Sequence, residues 1–246
     1  MAHIGLLKAL GEYGIRPQWI SGSSVGALVG ALYAGGATVP DMMSFFRNTP
    51  LFRYNFFSIS KPGLFDTERY YKVFESYWPH NSFEDLDLPL YVVATNLMRG
   101  EERIFHSGEL IRPLLASAAL PPIFSPVTIG NELYADGGIM NNFPLEPIES
   151  RASYVIGSNV SVVTSVGRKD IRSSWQLANR TTGLMMYAIN REKIGRCQLV
   201  FEPKELETIG VLDKSGIEKA FEIGYGYASG VLAERASSVP GLHTSS

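Results

Sequence analysis

"WISGSSVGALVGALYAGG", residues 19–36, decides the fold. The apolar pair Trp19-Ile20 runs into a cluster of small residues, and a helical stretch from Ala27 to Ala34 follows and closes on Gly35-Gly36. Inside the cluster, Gly22-Ser23-Ser24-Val25-Gly26 reads G-x-S-x-G. A strand that turns this sharply into a helix needs small residues two before and two after the central serine, which Gly22 and Gly26 supply. The turn strains the serine and pushes its hydroxyl out at the sheet edge. The N–H of Val25, at the helix N-terminus, is then placed as an oxyanion donor. The same letters also describe a plain Ser/Gly turn, so a partner base has to decide between the two.

A serine hydroxyl is a weak nucleophile until a base takes its proton. The chain has four histidines, His3, His80, His106 and His243. A histidine that follows the acid in chain order is expected of a Ser-Asp-His triad. Only His243 meets that order, and it lies in the tail. His3 reads as a satisfied structural residue at a helix start, and His106 as an exposed position on a strand. Asp136 in "ELYADGGIMNNFP" is the better partner. It ends a strand and precedes Gly137-Gly138, where a carboxylate can project from a sheet edge. A partly desolvated carboxylate can act directly as a base. The bland alternative is an Asp-Gly-Gly turn.

The rest of the chain supplies the frame. "LYVVATNL" (90–97) reads as a buried strand, with "EERIFHS" (101–107) as its hairpin partner. Residues 108–120 read as a helix, 132–136 and 153–160 as strands, and 2–13, 173–190 and 213–236 as helices. Strands alternating with helices predict an α/β sheet covered on both faces. With no internal repeat and no linker, residues 1–246 read as one domain. Its core spans 2–163, its helical C-terminal part 170–236, and a loose tail 237–246.

Composition narrows the function classes. The net charge is −2 without a long basic run, which argues against nucleic acid as a partner. The single cysteine, Cys197, cannot form an internal disulfide and reads as a packed thiol. No stretch approaches the roughly 20 apolar residues of a membrane span. These features predict a cytoplasmic protein with peripheral membrane contact. The aromatic stretch 45–78 reads as core before acyl pocket, and "RYNFFSISKPGLF" (53–65) as a candidate cover over the site. "GYGYASG" (224–230) lies inside a helical pattern and reads as close helix packing, not a phosphate loop. Asn159 and Asn179 head glycosylation sequons.

Taken in order, "AHIGLLKAL", "GSSVGALVGALYA", "VVATNL", "ASAALPPIFSPV", "DGGIMNNFPL" and "VIGSNV" resemble the patatin-like phospholipases from Ala2 to about residue 163. The resemblance implies a three-layer α/β/α sandwich with a mainly parallel central sheet. It implies hydrolysis of phospholipid or other lipid esters through an acyl-enzyme, with no metal and no cofactor. Carried over residue by residue, Ser24 is the nucleophile and Asp136 the base. Val25, Gly22 and Gly26 form the elbow, and Gly137 and Gly138 the aspartate loop. The family also places a loop of type G-G-G-x-[RK]-G directly ahead of the segment matching "AHIG". Met1 stands where that loop ends, and "MAH" offers helix 2–13 no capping residue. The first strand and the oxyanion loop are therefore expected to be missing from this sequence, either because its start is misassigned or trimmed or because the protein lacks the loop. Losing one oxyanion donor costs a factor of about 10²–10³ in turnover. Two further readings stay open: an impaired patatin-like domain that binds lipid or protein, and an esterase or thioesterase for small substrates.

Overall fold

A computed structural model describes residues 1–49, 56–58, 61–209 and 214–235. Among them the strands are β1 (Ile20–Ser23), β2 (Leu90–Asn96), β3 (Glu101–Phe105), β4 (Val127–Ile129), β5 (Glu132–Asp136), β6 (Ile156–Ser158) and β7 (Leu199–Phe201). The α-helices are α1 (Ala2–Glu12), α2 (Val25–Ala34), α3 (Val39–Asn48), α4 (Tyr71–Glu75) and α5 (Ile111–Ser117). They continue with α6 (Gly138–Asn141), α7 (Glu146–Glu149), α8 (Ser174–Ile194) and α9 (Ile217–Arg235). The chain packs as two compact units, residues 17–153 and residues 1–16 with those from 154 onward.

In the first unit β2 is the organising strand. Its run of β-branched and apolar residues is buried almost throughout, as expected of a strand covered on both faces. One edge of β2 carries β3, from Val92↔Phe105 to Asn96↔Glu101. The other edge is shared. Leu90–Val93 pair in parallel with Ile20–Ser23, and Ala94–Asn96 pair antiparallel with Tyr134–Asp136. β1 and β5 thus run toward each other along a single edge. Their C-terminal ends meet head to head, Ser23 opposite Val93 and Asp136 opposite Ala94.

The mixed α/β class is as the resemblance implies, with one correction to the sheet. Among the described residues β1–β2 and β6–β7 are the parallel strand pairs; β2–β3, β2–β5 and β4–β5 are antiparallel. The connections explain two of these. Leu97–Gly100 and Gly130–Asn131 are too short for a crossover and can only close hairpins, with Gly100 and Gly130 at positive φ.

α2 is buried on nearly every side, which its Ala, Leu, Val and Gly content permits. α5 packs on β2 and β5. It is shorter than the stretch 108–120 suggested. Its start is fixed by Asn81, whose Oδ1 accepts from the Leu110 and Ile111 N–H groups at 3.2 and 2.7 Å. A cap supplied from thirty residues upstream leaves no local signature. Much of the described aromatic stretch is core: Phe45, Phe46, Phe65, Tyr70, Phe74 and Trp78 are buried, and Phe45 meets Phe46, Phe74, Tyr77 and Trp78 edge-to-face at centroid distances of 4.8–5.9 Å, whereas Phe57 is exposed. Residues 53–55 and 59–60 of the candidate cover, and the tail from 236, lie outside the described residues.

In the second unit α1 and α9 pack along each other. Leu6, Ala9 and Leu10 bury against Leu199, Phe201, Ala228 and Leu232. A Cβ on Gly224 would strike the backbone of Ala2, so the glycine of "GYGYASG" serves close helix packing. α1 has no side-chain cap. The Nδ1 of His3 lies 2.7 Å from the Ser158 hydroxyl, and burial holds its imidazole far below the usual range, at about 3. That is the structural role expected of it. The Asn159 side chain is buried and donates to Glu202 at 2.7 Å, which makes its sequon a poor acceptor. No helix among the described residues is long and apolar enough to cross a membrane.

Candidate active site

The head-to-head meeting of β1 and β5 brings Ser24 and Asp136 together. Ser24 follows β1 and heads α2, with φ 53° and ψ −130°, a backbone conformation that favours glycine. Two glycines make room for it. A Cβ at Gly22 would lie 2.7 Å from the Ala27 nitrogen, so strand and helix can approach this closely only with hydrogen there. A Cβ at Gly137 would overlap the Val93 carbonyl and sit 2.6 Å from Ser23 Oγ. Gly26 occupies the first turn of α2, and Gly138 opens α6.

A serine at a helix N-cap ordinarily turns its hydroxyl back onto a first-turn amide. Ser24 makes no such bond. Its Oγ donates to Asp136 Oδ2 at 2.7 Å. The other carboxylate oxygen, Oδ1, accepts from the Gly138 N–H at 2.8 Å. Asp136 is 1% exposed. Burial raises its pKa from 3.8 to about 6, and the two hydrogen bonds, which favour the charged form, hold it from rising further. A carboxylate so poised accepts a proton near neutral pH far more readily than a solvated one.

The backbone around the pair is anchored from α5 by a residue that reading of the sequence did not single out. Ser117 is fully buried. Its Oγ accepts from the Ser24 N–H at 2.9 Å, and its carbonyl accepts from the Gly137 N–H at 3.3 Å. One residue therefore holds both the elbow and the aspartate loop. Asp136 N–H donates to the Ala119 carbonyl at 3.0 Å, and Thr95 Oγ1 donates to the Asp136 carbonyl at 2.9 Å. Ser117 lies within "ASAALPPIF", but it is 93 positions from Ser24, beyond any local pattern. The amides of Val25 and Gly26 belong to the first turn of α2, where N–H groups have no helical acceptor. His80 and His106 are exposed, and His106 packs on Tyr91.

Comparison with known proteins sets this geometry in context. The patatin-like phospholipase family matches residues 1–148. An uncharacterised NTE family protein of Mycobacterium tuberculosis is 33% identical over 149 residues, 60% of this chain and 41% of that protein. Lysophospholipase NTE1 of Cryptococcus neoformans is 28% identical over 198 residues, 76% of this chain and 12% of that protein. The chain thus spans less than half the length of these relatives. The crystal structure of VipD from Legionella pneumophila aligns with a TM-score of 0.53 at 14% identity, covering 95% of this chain and 64% of that one. That likeness is one of fold.

Proposed function

The chain belongs to the patatin-like phospholipase family, and from that membership we propose that it hydrolyses lipid esters with Ser24 as nucleophile and Asp136 as base. The observation that carries the reading is the 2.7 Å hydrogen bond from a strained elbow hydroxyl to a buried carboxylate. As Ser24 Oγ attacks the ester carbonyl carbon, its proton passes along that bond to Asp136 Oδ2. The carbonyl oxygen becomes an oxyanion beside the Val25 N–H, where the N-terminal end of α2 favours negative charge. Collapse of the tetrahedral intermediate breaks the ester bond, and Asp136 returns the proton to the departing alcohol. Water then attacks the acyl-serine with Asp136 again as base, releasing the fatty acid and restoring both side chains. Histidine has no part in this cycle.

The mechanism uses the buried state of Asp136 twice. A raised pKa makes the carboxylate a stronger base, and Gly138 N–H fixes Oδ1 so that Oδ2 faces the serine. Ser117 acts as a positioning residue by holding the Ser24 amide. Turnover of p-nitrophenyl acyl esters of increasing chain length tests the reading. Expected are hydrolysis by the wild type and loss of it in Ser24→Ala and Asp136→Asn. Full activity in either variant overturns the dyad. A wild type inert to esters and to a fluorophosphonate probe favours a lipid- or protein-binding domain.

A further inference from the structure

α8 is 21 residues long, and one of its faces presents large apolar side chains to solvent. Leu177, Leu184, Met185 and Ile189 are 52%, 42%, 62% and 48% exposed. At 100° per residue they fall within one stripe about 140° wide. The exposed Thr181 and Ala188 lie on the same stripe. The opposite face carries the buried residues Asn190 and Ile194, so the helix has one anchored side and one open apolar side. Exposed apolar patches of this kind mark interaction surfaces more often than accidents.

Charge identifies the partner. The chain as a whole carries −2, yet residues 168–196 contain seven Lys/Arg and only two Asp/Glu. Arg168, Lys169 and Arg172 are exposed just ahead of the helix, and Arg191 is exposed at its C-terminal end beside the apolar stripe. Glu192, exposed, is the single acidic residue on the helix and closes the stripe at its C-terminal end, between Arg191 and Lys193. A helix with an apolar face bracketed by cations has the composition that lies in the plane of an anionic bilayer surface. A protein partner of complementary charge would need an acidic, apolar groove; a second copy would bring the same cations face to face.

We propose that α8 is a membrane-docking helix that seats Leu177, Leu184, Met185 and Ile189 in the interface of an anionic lipid surface. The proposal rests on the lipid-hydrolase reading only for its purpose, since it names where such a substrate is met. Binding is therefore measured apart from turnover, by vesicle flotation. The probes are vesicles of phosphatidylcholine alone and of phosphatidylcholine with one part in three phosphatidylglycerol. The wild type is expected to float with the anionic vesicles and to be released by high salt. Each basic residue near such a surface is worth about five-fold in binding, so Arg168→Gln/Lys169→Gln/Arg172→Gln together is expected to weaken it about 10²-fold. Leu184→Asp/Met185→Asp removes flotation while leaving hydrolysis of a soluble short-chain ester unchanged. Both sets alter exposed side chains, and circular dichroism checks that the fold is kept. Equal flotation of wild type and the Asp variant overturns the proposal. So does a wild type that ignores anionic vesicles, or a dimer in sedimentation velocity that the Asp variant splits. Loss of ester turnover with flotation intact counts against the catalytic reading alone.

Discussion

Replacing Asp136 by asparagine separates the charge of the base from its geometry. Asparagine can still accept from the Gly138 N–H through Oδ1 and donate through Nδ2 to Ser24 Oγ, so both hydrogen bonds at 2.7 and 2.8 Å survive. What disappears is a buried negative charge. Burial raises the Asp136 pKa from 3.8 to about 6, so the folded state holds this proton more tightly than the unfolded chain does. The contribution of the protonated group to stability is complete below about pH 3.8 and is lost as pH rises through about 6. Linkage puts the loss at under about 1 kcal/mol at pH 4 and about 3 kcal/mol at pH 8. Asparagine does not titrate, so the stability difference between variant and wild type shifts by about 2 kcal/mol from pH 4 to pH 8, in favour of the variant. Urea unfolding of both proteins at pH 4, 6 and 8 measures this difference directly. The variant should gain on wild type in stability as pH rises and should be inactive as a hydrolase. A gap that stays constant with pH, or that moves toward wild type as pH rises, would refute the raised pKa and with it the poised base.

Other consequences follow from the same geometry. The kcat/KM of the wild type should rise with pH through an apparent pKa of about 6, as Asp136 ionises; a profile flat from pH 5 to 8 would assign the base elsewhere. Because Ser24 sits at φ 53°, Ser24→Gly should be more stable than Ser24→Ala by about 1–2 kcal/mol in thermal or urea unfolding. Ser117→Ala removes the acceptor of the Ser24 N–H, which should lower stability by about 1–3 kcal/mol. It should also lower kcat at least about ten-fold with KM little changed, the pattern of a lost transition-state geometry. Gly137→Ala would drive a methyl into the Val93 carbonyl and should abolish activity even where soluble protein is recovered.

Much of the geometry of the candidate site was legible in the sequence. Gly22, Ser24 and Gly26 announce an elbow because the steric demands of the turn fall within five consecutive residues. Asp136 was reachable because it closes an apolar strand and precedes two glycines. The strand limits are weakly signalled where local pattern is weak: β1 runs Ile20–Ser23, because Gly22 and Ser23 extend it from the apolar Trp19-Ile20 into the elbow itself. Features built from distant partners left no trace. Asn81 caps α5, and Ser117 anchors two loops that are remote from it in sequence. The antiparallel pairing of β5 with β2 depends on which edge of β2 remains open beyond β1, a property of the assembled sheet. The exposed face of α8 was equally hidden. Its "LMMYAIN" segment reads as a buried helix face, whereas Met185 and Ile189 stand in solvent.

The central claim is that Ser24 forms an acyl-enzyme with Asp136 as its base. Intact-protein mass spectrometry after brief reaction with a p-nitrophenyl acyl ester or a fluorophosphonate tests it most directly, with peptide mapping to locate the adduct. A single adduct on Ser24 in the wild type, strongly slowed in Asp136→Asn, is the result predicted. An adduct on another residue, or labelling of Ser24 at the same rate in Asp136→Asn, would contradict it.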